Sequence, residues 1–441
     1  MHLRHVSVRN VRSVASFLWY VDQEVDPDEL AGWHVLLGDN GSGKTSVLRA
    51  IALALSGPKQ APALRQDWSS WLRRTCDLAE INLLFAPHEG WDVLAREAPA
   101  VRELEVHPDL LVSLLRTERG VDFAKEPGAD IGLDPEFHVW SGEPGWFSAS
   151  YGPYRRFSGG DERMEGLYQS HPRLARHLTV FGENVALSKA TDWLQGLKFK
   201  ALEANKDGKT DGGEAGRLLR YLFDFINDPR LLPHRTRIED VTSDGVLFVD
   251  GNDNTVAVDD LSDGYRSVLS LAFELLRNLV AEFGADRVFG PDPTRVEVPG
   301  VVLIDEVDAH LHPLWQRRIG HWFTERFPCM QFIVTTHSPL VCQAAEHGTI
   351  YRLPRPGSDD EGGFVRGQER ERLLFGNVLD AYETRSFGVV PTRSDAGHHK
   401  LQRLAELNLK ARSGPLDSHE QQEREHLRMI LPTMSRRETA P

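Results

Sequence analysis

The sequence predicts an α/β fold organised around a phosphate-binding loop, and three stretches carry that expectation. Gly38-Asp39-Asn40-Gly41-Ser42-Gly43-Lys44-Thr45 has the G-x-x-x-x-G-K-[ST] spacing. Val301-Val302-Leu303-Ile304-Asp305-Glu306 is an apolar run ending in two carboxylates, and Gln331 to Thr336 is a second run delivering His337. Continuous apolar runs of this length suit parallel strands covered on both faces.

The loop is flanked as its chemistry requires. Val35-Leu36-Leu37 is a short strand leading in, and Val47, Leu48, Ile51, Ala52 and Leu55 mark a helix leading out, stopped by Gly57-Pro58. Gly38, Gly41 and Gly43 let backbone N–H groups, including those of Asn40, Ser42 and Ser46, close around phosphates, and the helix N-terminus adds partial positive charge. Lys44 is placed to reach the β- and γ-phosphates, and the Thr45 hydroxyl to ligate Mg²⁺. The expected ligand is a nucleoside triphosphate.

The carboxylates complete that chemistry. Asp305, at a strand's C-terminal end, is suited to hold Mg²⁺, and Glu306 to orient and deprotonate an attacking water. Acidic pairs usually mark solvated turns, but one that ends an apolar strand favours burial beside a cation. Pro313 fits the first turn of the next helix. His337 arrives at the same sheet edge, where it can donate a hydrogen bond to the γ-phosphate.

Composition narrows the class. With 441 residues, 40% apolar and 26% charged, the chain is long enough for two or three domains of ordinary soluble make-up. No run approaches 18 apolar residues, and MHLRHVSVRNVRSV reads as a strand rather than a signal peptide, so a cytoplasmic protein without a membrane partner is expected. Cys76, Cys329 and Cys342 have neither metal spacing nor a disulfide framework. A net charge of −14 argues against a generally basic nucleic-acid coat while leaving room for a local positive patch.

Leu261-Ser262-Asp263-Gly264-Tyr265-Arg266-Ser267 opens an amphipathic helix through Val268, Leu269, Leu271, Ala272, Leu275, Leu276 and Leu279. A serine and a small turn at a helix N-terminus form a second anion site. LSDGYRS resembles the signature motif of ABC-type ATPases in the chromosome-maintenance and RecF-like branch. LIDEVDAHLHPLWQRRI, followed by QFIVTTHSPLV, resembles the overcoming-lysogenization-defect ATPases and the single-head ATPases of bacterial anti-phage defence of the Septu, PARIS and retron-associated kind. The resemblance covers residues 1–57 and about 240–353.

The resemblance implies an ABC-type head with a mixed sheet that binds and hydrolyses ATP with Mg²⁺. It further implies that two heads would pack head to tail, with Ser262, Asp263 and Gly264 of one facing the γ-phosphate held at Lys44 of the other. By the same resemblance Asp308 would help couple the two sites. Phe147 to Arg155 resembles the Y-G-P-x-R element of the defence-type relatives, which brings Arg155 toward phosphate, with a surface arginine as the even alternative. Val8-Arg9-Asn10-Val11-Arg12-Ser13 matches the first-strand pattern, placing Arg12 near the nucleotide. The glutamine that transporter-type ATPases carry between loop and signature has no match. His310 and His312 belong to the turn before Pro313 rather than to a zinc site.

Other segments read more simply. Phe157-Ser158-Gly159-Gly160 imitates a transporter signature but lacks a following apolar helix, so a loop is expected, and Phe137 to Trp140 reads as a strand. Between Thr45 and Ser262 no heptad persists, and Pro127, Pro135, Pro144 and Pro153 exclude a long coiled coil. Helical patches at Leu174–His177 and Leu218–Ile226 suggest a compact subdomain, Asn205 to Gly213 a flexible hairpin, and Val246 to Val258 a β-hairpin. The acidic run Asp359-Asp360-Glu361 sits in a glycine-flanked loop, and a helical tail follows. Four segments result: 1–90 with the phosphate loop, 91–240 as a helical and β insertion, 241–355 completing the ATPase, and 356–441 as a helical region for partner or oligomer contact.

Two functions fit. The first is an ATP-dependent dimer serving as sensor or scaffold for a separate effector, such as a nuclease, in anti-phage defence; the sequence has no nuclease constellation of its own. The second is a RecF-like repair ATPase clamping duplex DNA, with Arg73-Arg74, Arg155-Arg156 and Arg317-Arg318 as basic candidates. A transporter's nucleotide-binding subunit is disfavoured by the missing glutamine.

Overall fold

A computed structural model describes residues 1–21, 30–88, 90–91, 109–124, 139–140, 146–155, 157, 166–182, 188–382, 384–387 and 394–431. Five strands form an antiparallel sheet: β1 (His2–Val11), β2 (Val14–Tyr20), β4 (Leu78–Ala86), β5 (Asp109–Thr117) and β6 (Gly120–Phe123), in the order β2-β1-β4-β5-β6. Alternation dictates its one-sided core. In β1, Val6 and Val8 are buried while Arg9 is exposed.

The second sheet is mostly parallel. It holds β3 (Gly32–Leu37), β7 (Ser148–Tyr151), β11 (Gly300–Ile304), β12 (Met330–Thr336), β13 (Ile350–Arg352) and β14 (Gly363–Phe364), in the order β14-β13-β3-β12-β11-β7. Only β13 and β14 pair antiparallel, so the sheet is mixed. Every residue of β3, β11 and β12 is buried, as the unbroken apolar runs require.

Helix α1 (Lys44–Ser56) lies between the two sheets, touching β1 and β4 on one side and β7 and β11 on the other. A helix apolar on nearly every face needs such double cover, and Val47, Leu48 and Ala50–Leu55 are all buried. It ends at Gly57, φ 87°, against the Trp140 ring, which a side chain there would meet at 2.9 Å. Trp140 also donates to the Ala54 carbonyl at 2.9 Å. Val139 and Trp140 thus form a turn rather than the strand expected over Phe137–Trp140, whose first two residues lie outside the described ones. The edge strand is β7 instead. Ser158-Gly159-Gly160 also lies outside the described residues.

Helices α2 (Ser188–Lys206) and α3 (Gly213–Ile226) form a hairpin whose turn is the Asn205–Gly213 stretch. There Gly212 stands where a Cβ would be 2.8 Å from that of Ala201. A three-stranded sheet of β8 (Arg237–Thr242), β9 (Gly245–Val249) and β10 (Thr255–Ala257) follows, leading into the 21-residue helix α4 (Asp263–Phe283). The expected hairpin is present, with Thr255 opposite Val249 and Asp250 accepting from the backbone of Asn252 and Asn254.

Asp228, just past α3, anchors helix α5 (Pro313–Arg326). It accepts from Arg326 Nη2 at 2.6 Å, Trp322 Nε1 at 3.1 Å and Arg230 Nη2 at 2.9 Å. Burial raises its pKa, but hydrogen bonds from Arg230 and Arg326 outweigh that and hold it at about 2. A folded value below the unfolded ~3.9 gives stability present at neutral pH and lost as pH falls from about 4 through about 2. Asp228→Asn should therefore cost about 2 kcal/mol at pH 7 and almost nothing at pH 2. Urea midpoints at the two pH values check this.

The chain divides into two compact units, Met1–Ser386 and Phe387–Pro441. Within the first, α6 (Gly367–Phe375) and α7 (Val378–Tyr382) pack on the short helix Pro339–Cys342. Strands of the 91–240 segment are shared out, β5 and β6 to the antiparallel sheet and β7 to the mixed one. The second unit is a hairpin of α8 (Asp395–Ser413) and α9 (Ser418–Ile430), closed over Leu404, Leu407, Leu427 and Leu431, with an Asp417/Glu420 capping box. Among the described residues no helix is long and apolar enough to cross a membrane.

Candidate functional site

The parallel strands of the mixed sheet end together, and their C-terminal residues meet the phosphate loop. Gly41 and Gly43 take φ of 80° and 98°, and a side chain on Gly43 would strike Val14 at 2.7 Å. A Cβ on Gly38 would lie 2.4 Å from Ser42 Oγ. The loop is tight because only glycine fits it. Lys44 Nζ folds back to donate to the carbonyls of Gly38 at 2.7 Å and Asp39 at 3.1 Å. Burial lowers its pKa, opposed by Asp305, Glu306, Asp308 and Asp39, the charge pattern of an ammonium awaiting anionic oxygens. Ser42 Oγ is buried without a partner.

Asp305, 1% exposed, is gripped from two sides. Thr45 Oγ1 donates to its Oδ2 at 2.7 Å and Thr335 Oγ1 to its Oδ1 at 2.6 Å. A hydroxyl and a carboxylate in contact beside a phosphate loop form the hard-oxygen donor set that suits Mg²⁺. Glu306 takes φ 44°, a left-handed conformation costly for a non-glycine residue and typical of functional positions. Both flanks hold it there: its N–H donates to Thr335 Oγ1 at 2.8 Å, and its carbonyl accepts from Arg155 Nη2 at 3.1 Å.

Arg155 is held by protein oxygens. It is 6% exposed and donates to Asp305 O at 3.0 Å, Gly152 O at 3.3 Å and Ser267 Oγ at 2.9 Å. Burial lowers its pKa to about 10, opposed by Asp305, Asp308 and Glu306, so it stays charged at neutral pH. It is therefore a buried tie between the carboxylate turn and α4, not a surface basic residue; Arg156 lies outside the described residues.

At the end of β12, Thr336 Oγ1 donates to Asp308 Oδ1 at 2.5 Å and accepts from Ser338 N–H at 2.9 Å. Ser338 Oγ reaches Gln316 of α5 at 2.8 Å. His337 lies between them; desolvation of its ring and the Lys44 charge lower its pKa, opposed by Asp308, Glu306 and Asp39. His312 caps α5 by accepting from the Leu314 N–H.

Two families match parts of the chain: "AAA domain, putative AbiEii toxin, Type IV TA system" over residues 170–343 and "AAA domain" over residues 5–82. Between them they hold the antiparallel sheet's first strands, the phosphate loop, the signature stretch and the carboxylate strand. The chain is 24% identical over 397 residues to Septu protein PtuA of Bacillus mycoides, covering 89% of this chain and 46% of that protein. It is 38% identical over 108 residues to the "Retron Ec83 probable ATPase" of Escherichia coli, covering 24% of this chain and 19% of that one. The chain is homologous to Septu PtuA and to the retron-associated probable ATPases. It spans less than half the length of these two relatives. Among solved structures it is similar to an SMC head bound to the C-winged helix domain of ScpA, at 15% identity, covering 83% of this chain and 98% of that one, with a TM-score of 0.44.

Among the described residues no hydrogen bond joins the signature turn to the phosphate loop of its own chain. Ser262 and Asp263 are exposed at the N-terminus of α4, Ser262 makes no capping bond, and Asp263 pairs with Arg266. Gly264 is buried where a Cβ would meet the His310 carbonyl at 2.8 Å and Trp315 at 3.0 Å, so the turn rests on the segment after Asp308. Arg12, in the β1–β2 turn at φ 52°, stacks its guanidinium 4.6 Å above Trp71. Asn40 is exposed at the loop tip, and Ser46 is half-buried on α1.

Sequence reasoning missed Thr335 and Ser267. Thr335 follows the last residue paired between β12 and β11, Val334 opposite Ile304, which sets its hydroxyl beside Asp305. A polar residue at the end of an otherwise apolar strand is the signal that was available.

Proposed function

We propose that this head binds ATP on the Gly38–Ser46 loop, hydrolyses it, and pairs head to tail with a second copy to control a separate effector in anti-phage defence. The observation that carries the hydrolytic reading is the continuous hydrogen-bonded chain Thr45–Asp305–Thr335–Glu306 at the mouth of the loop. Thr45 and Asp305 would hold Mg²⁺, which supplies charge neutralisation on the β- and γ-phosphates. Lys44 exchanges its two loop carbonyls for phosphate oxygens. Glu306 takes a proton from water as the water oxygen bonds to the γ-phosphorus. The bond to the bridging oxygen breaks, leaving ADP and phosphate.

The pairing rests on the exposed signature turn, which no hydrogen bond joins to the loop of its own chain among the described residues. A two-fold axis brings Ser262 of each copy to the loop of the other. The defence role rests on the homology to Septu PtuA and the retron-associated ATPases, and co-purification with the product of an adjacent reading frame tests the effector.

Complementation tests the shared site. Lys44→Ala should abolish nucleotide binding, and Ser262→Ala should lower turnover by about 10²–10³-fold, the scale for one transition-state donor. Mixed in equal amounts, half the dimers are hybrids with one intact site of two, so activity should return to about a quarter of wild type. No recovery on mixing argues that each site is built within one chain.

A further inference from the structure

Beside the phosphate loop the surface carries a second concentration of positive charge. Arg12, Arg73, Arg74 and Arg116 line an open depression of about 530 Å³, floored by Ser69, Ser70 and Leu72. Four arginines around one hollow stand out in a chain whose net charge is −14. Among the described residues, Arg116 alone of the four is ion-paired, with Asp77 at 3.6 Å.

Backbone carbonyls and an indole ring hold Arg73, Arg116 and Arg12 in place. Arg73 Nη1 donates to the Ser13 carbonyl at 2.9 Å, and Arg116 Nη2 to the carbonyls of Arg73 at 3.4 Å and Cys76 at 3.2 Å. Arg12 is fixed by Trp71, and its Nε is buried without a partner. Burial and the nearby Arg49 lower its pKa to about 10, which leaves it cationic. Carbonyl bonds orient guanidinium groups, whose remaining N–H donors match the oxygens of phosphate.

We propose that this four-arginine depression is a binding site for a phosphate-bearing ligand distinct from the triphosphate held at Lys44. A nucleic-acid backbone suits it best, because an open hollow with no aromatic face or convergent acceptor inside reads charge rather than base. The site also adjoins the loop. Arg73 lines a neighbouring cleft with Ser13, Val14, Gly41 and Ser42, and Ser13 and Val14 lie where a side chain on Gly43 would touch them. Occupancy is thereby placed to stiffen the turn on which the loop rests.

The full chain, free of nucleotide, is titrated against a fluorescein-labelled 20-nucleotide DNA as single strand and as duplex, and separately against inorganic pyrophosphate. Arg73→Ala/Arg74→Ala should weaken oligonucleotide binding and lower the slope of log K against log salt by about two, one for each phosphate that is no longer neutralised. Lys200→Ala, exposed on α2, should leave both unchanged. Arg74 is exposed, so Arg74→Glu gives the same readout without touching the Ser13 contact. Pyrophosphate binding that depends on Arg74, with no oligonucleotide binding, would keep the site and identify a small phosphate compound as its ligand. The proposal is overturned if the wild-type chain binds neither probe, or if the arginine variants bind as the wild type does. It is equally overturned if they lose ATP affinity in step with DNA, which would make the hollow an extension of the nucleotide site.

Discussion

Glu306→Gln leaves ATP binding intact and lowers hydrolysis by about 10²–10⁴-fold, the contribution of a positioned general base. The substitution keeps shape and hydrogen bonding and removes only the ability to accept a proton. The residue's left-handed backbone, φ 44°, is held by Thr335 and Arg155 rather than by its own side chain, so the amide should occupy the same place. With hydrolysis blocked, the ATP-bound pair persists. The expected result is a dimer on size exclusion with ATP that reverts to monomer only when nucleotide is removed. Single-turnover hydrolysis and bound-nucleotide content are the measurements. Undiminished turnover would take Glu306 out of the mechanism.

Arg155→Ala has the largest expected effect on stability, about 3–5 kcal/mol, because it removes a buried cation whose partners stay buried. The carbonyls of Gly152, Asp305 and Glu306 and the Ser267 hydroxyl all lose a donor. A second effect separates this role from simple stabilisation. Without Arg155, Glu306 is held on one flank only, so kcat should fall in the surviving folded protein while the Kd for ATP changes little. Urea unfolding gives the first quantity, and turnover at low temperature, where the variant stays folded, gives the second. A loss of ATP affinity with full stability would instead mean that the guanidinium reaches the phosphate.

The loop, the carboxylate strand and the signature helix were legible because each is a local pattern with a local cause. Glycines at 41 and 43 answer positive φ, and the apolar runs of β11 and β12 answer burial on both faces. The burial of Arg155 was not legible, because the carbonyls of Asp305 and Glu306 that accept from it lie about 150 residues away in the chain. Trp140 looked like strand and instead caps the end of α1. Thr335 was missed because a threonine ending an apolar strand marks a site only once the register with β11 sets it beside Asp305.

The sequence by itself determined the chemistry on offer: which residues can grip phosphate, hold a divalent cation and activate water, since those capacities belong to residue types at short spacing. Only the tertiary structure decided how they are held. Thr335, Arg155 and Ser267 act across 29 to 150 residues of chain, and the four arginines beside the loop come from the β1–β2 turn, β5 and the segment between them. The physical reason is range. Glycine conformation and strand burial are written within a few residues, whereas a hydrogen bond between distant segments exists only after the parallel register has brought them within about three ångströms of each other.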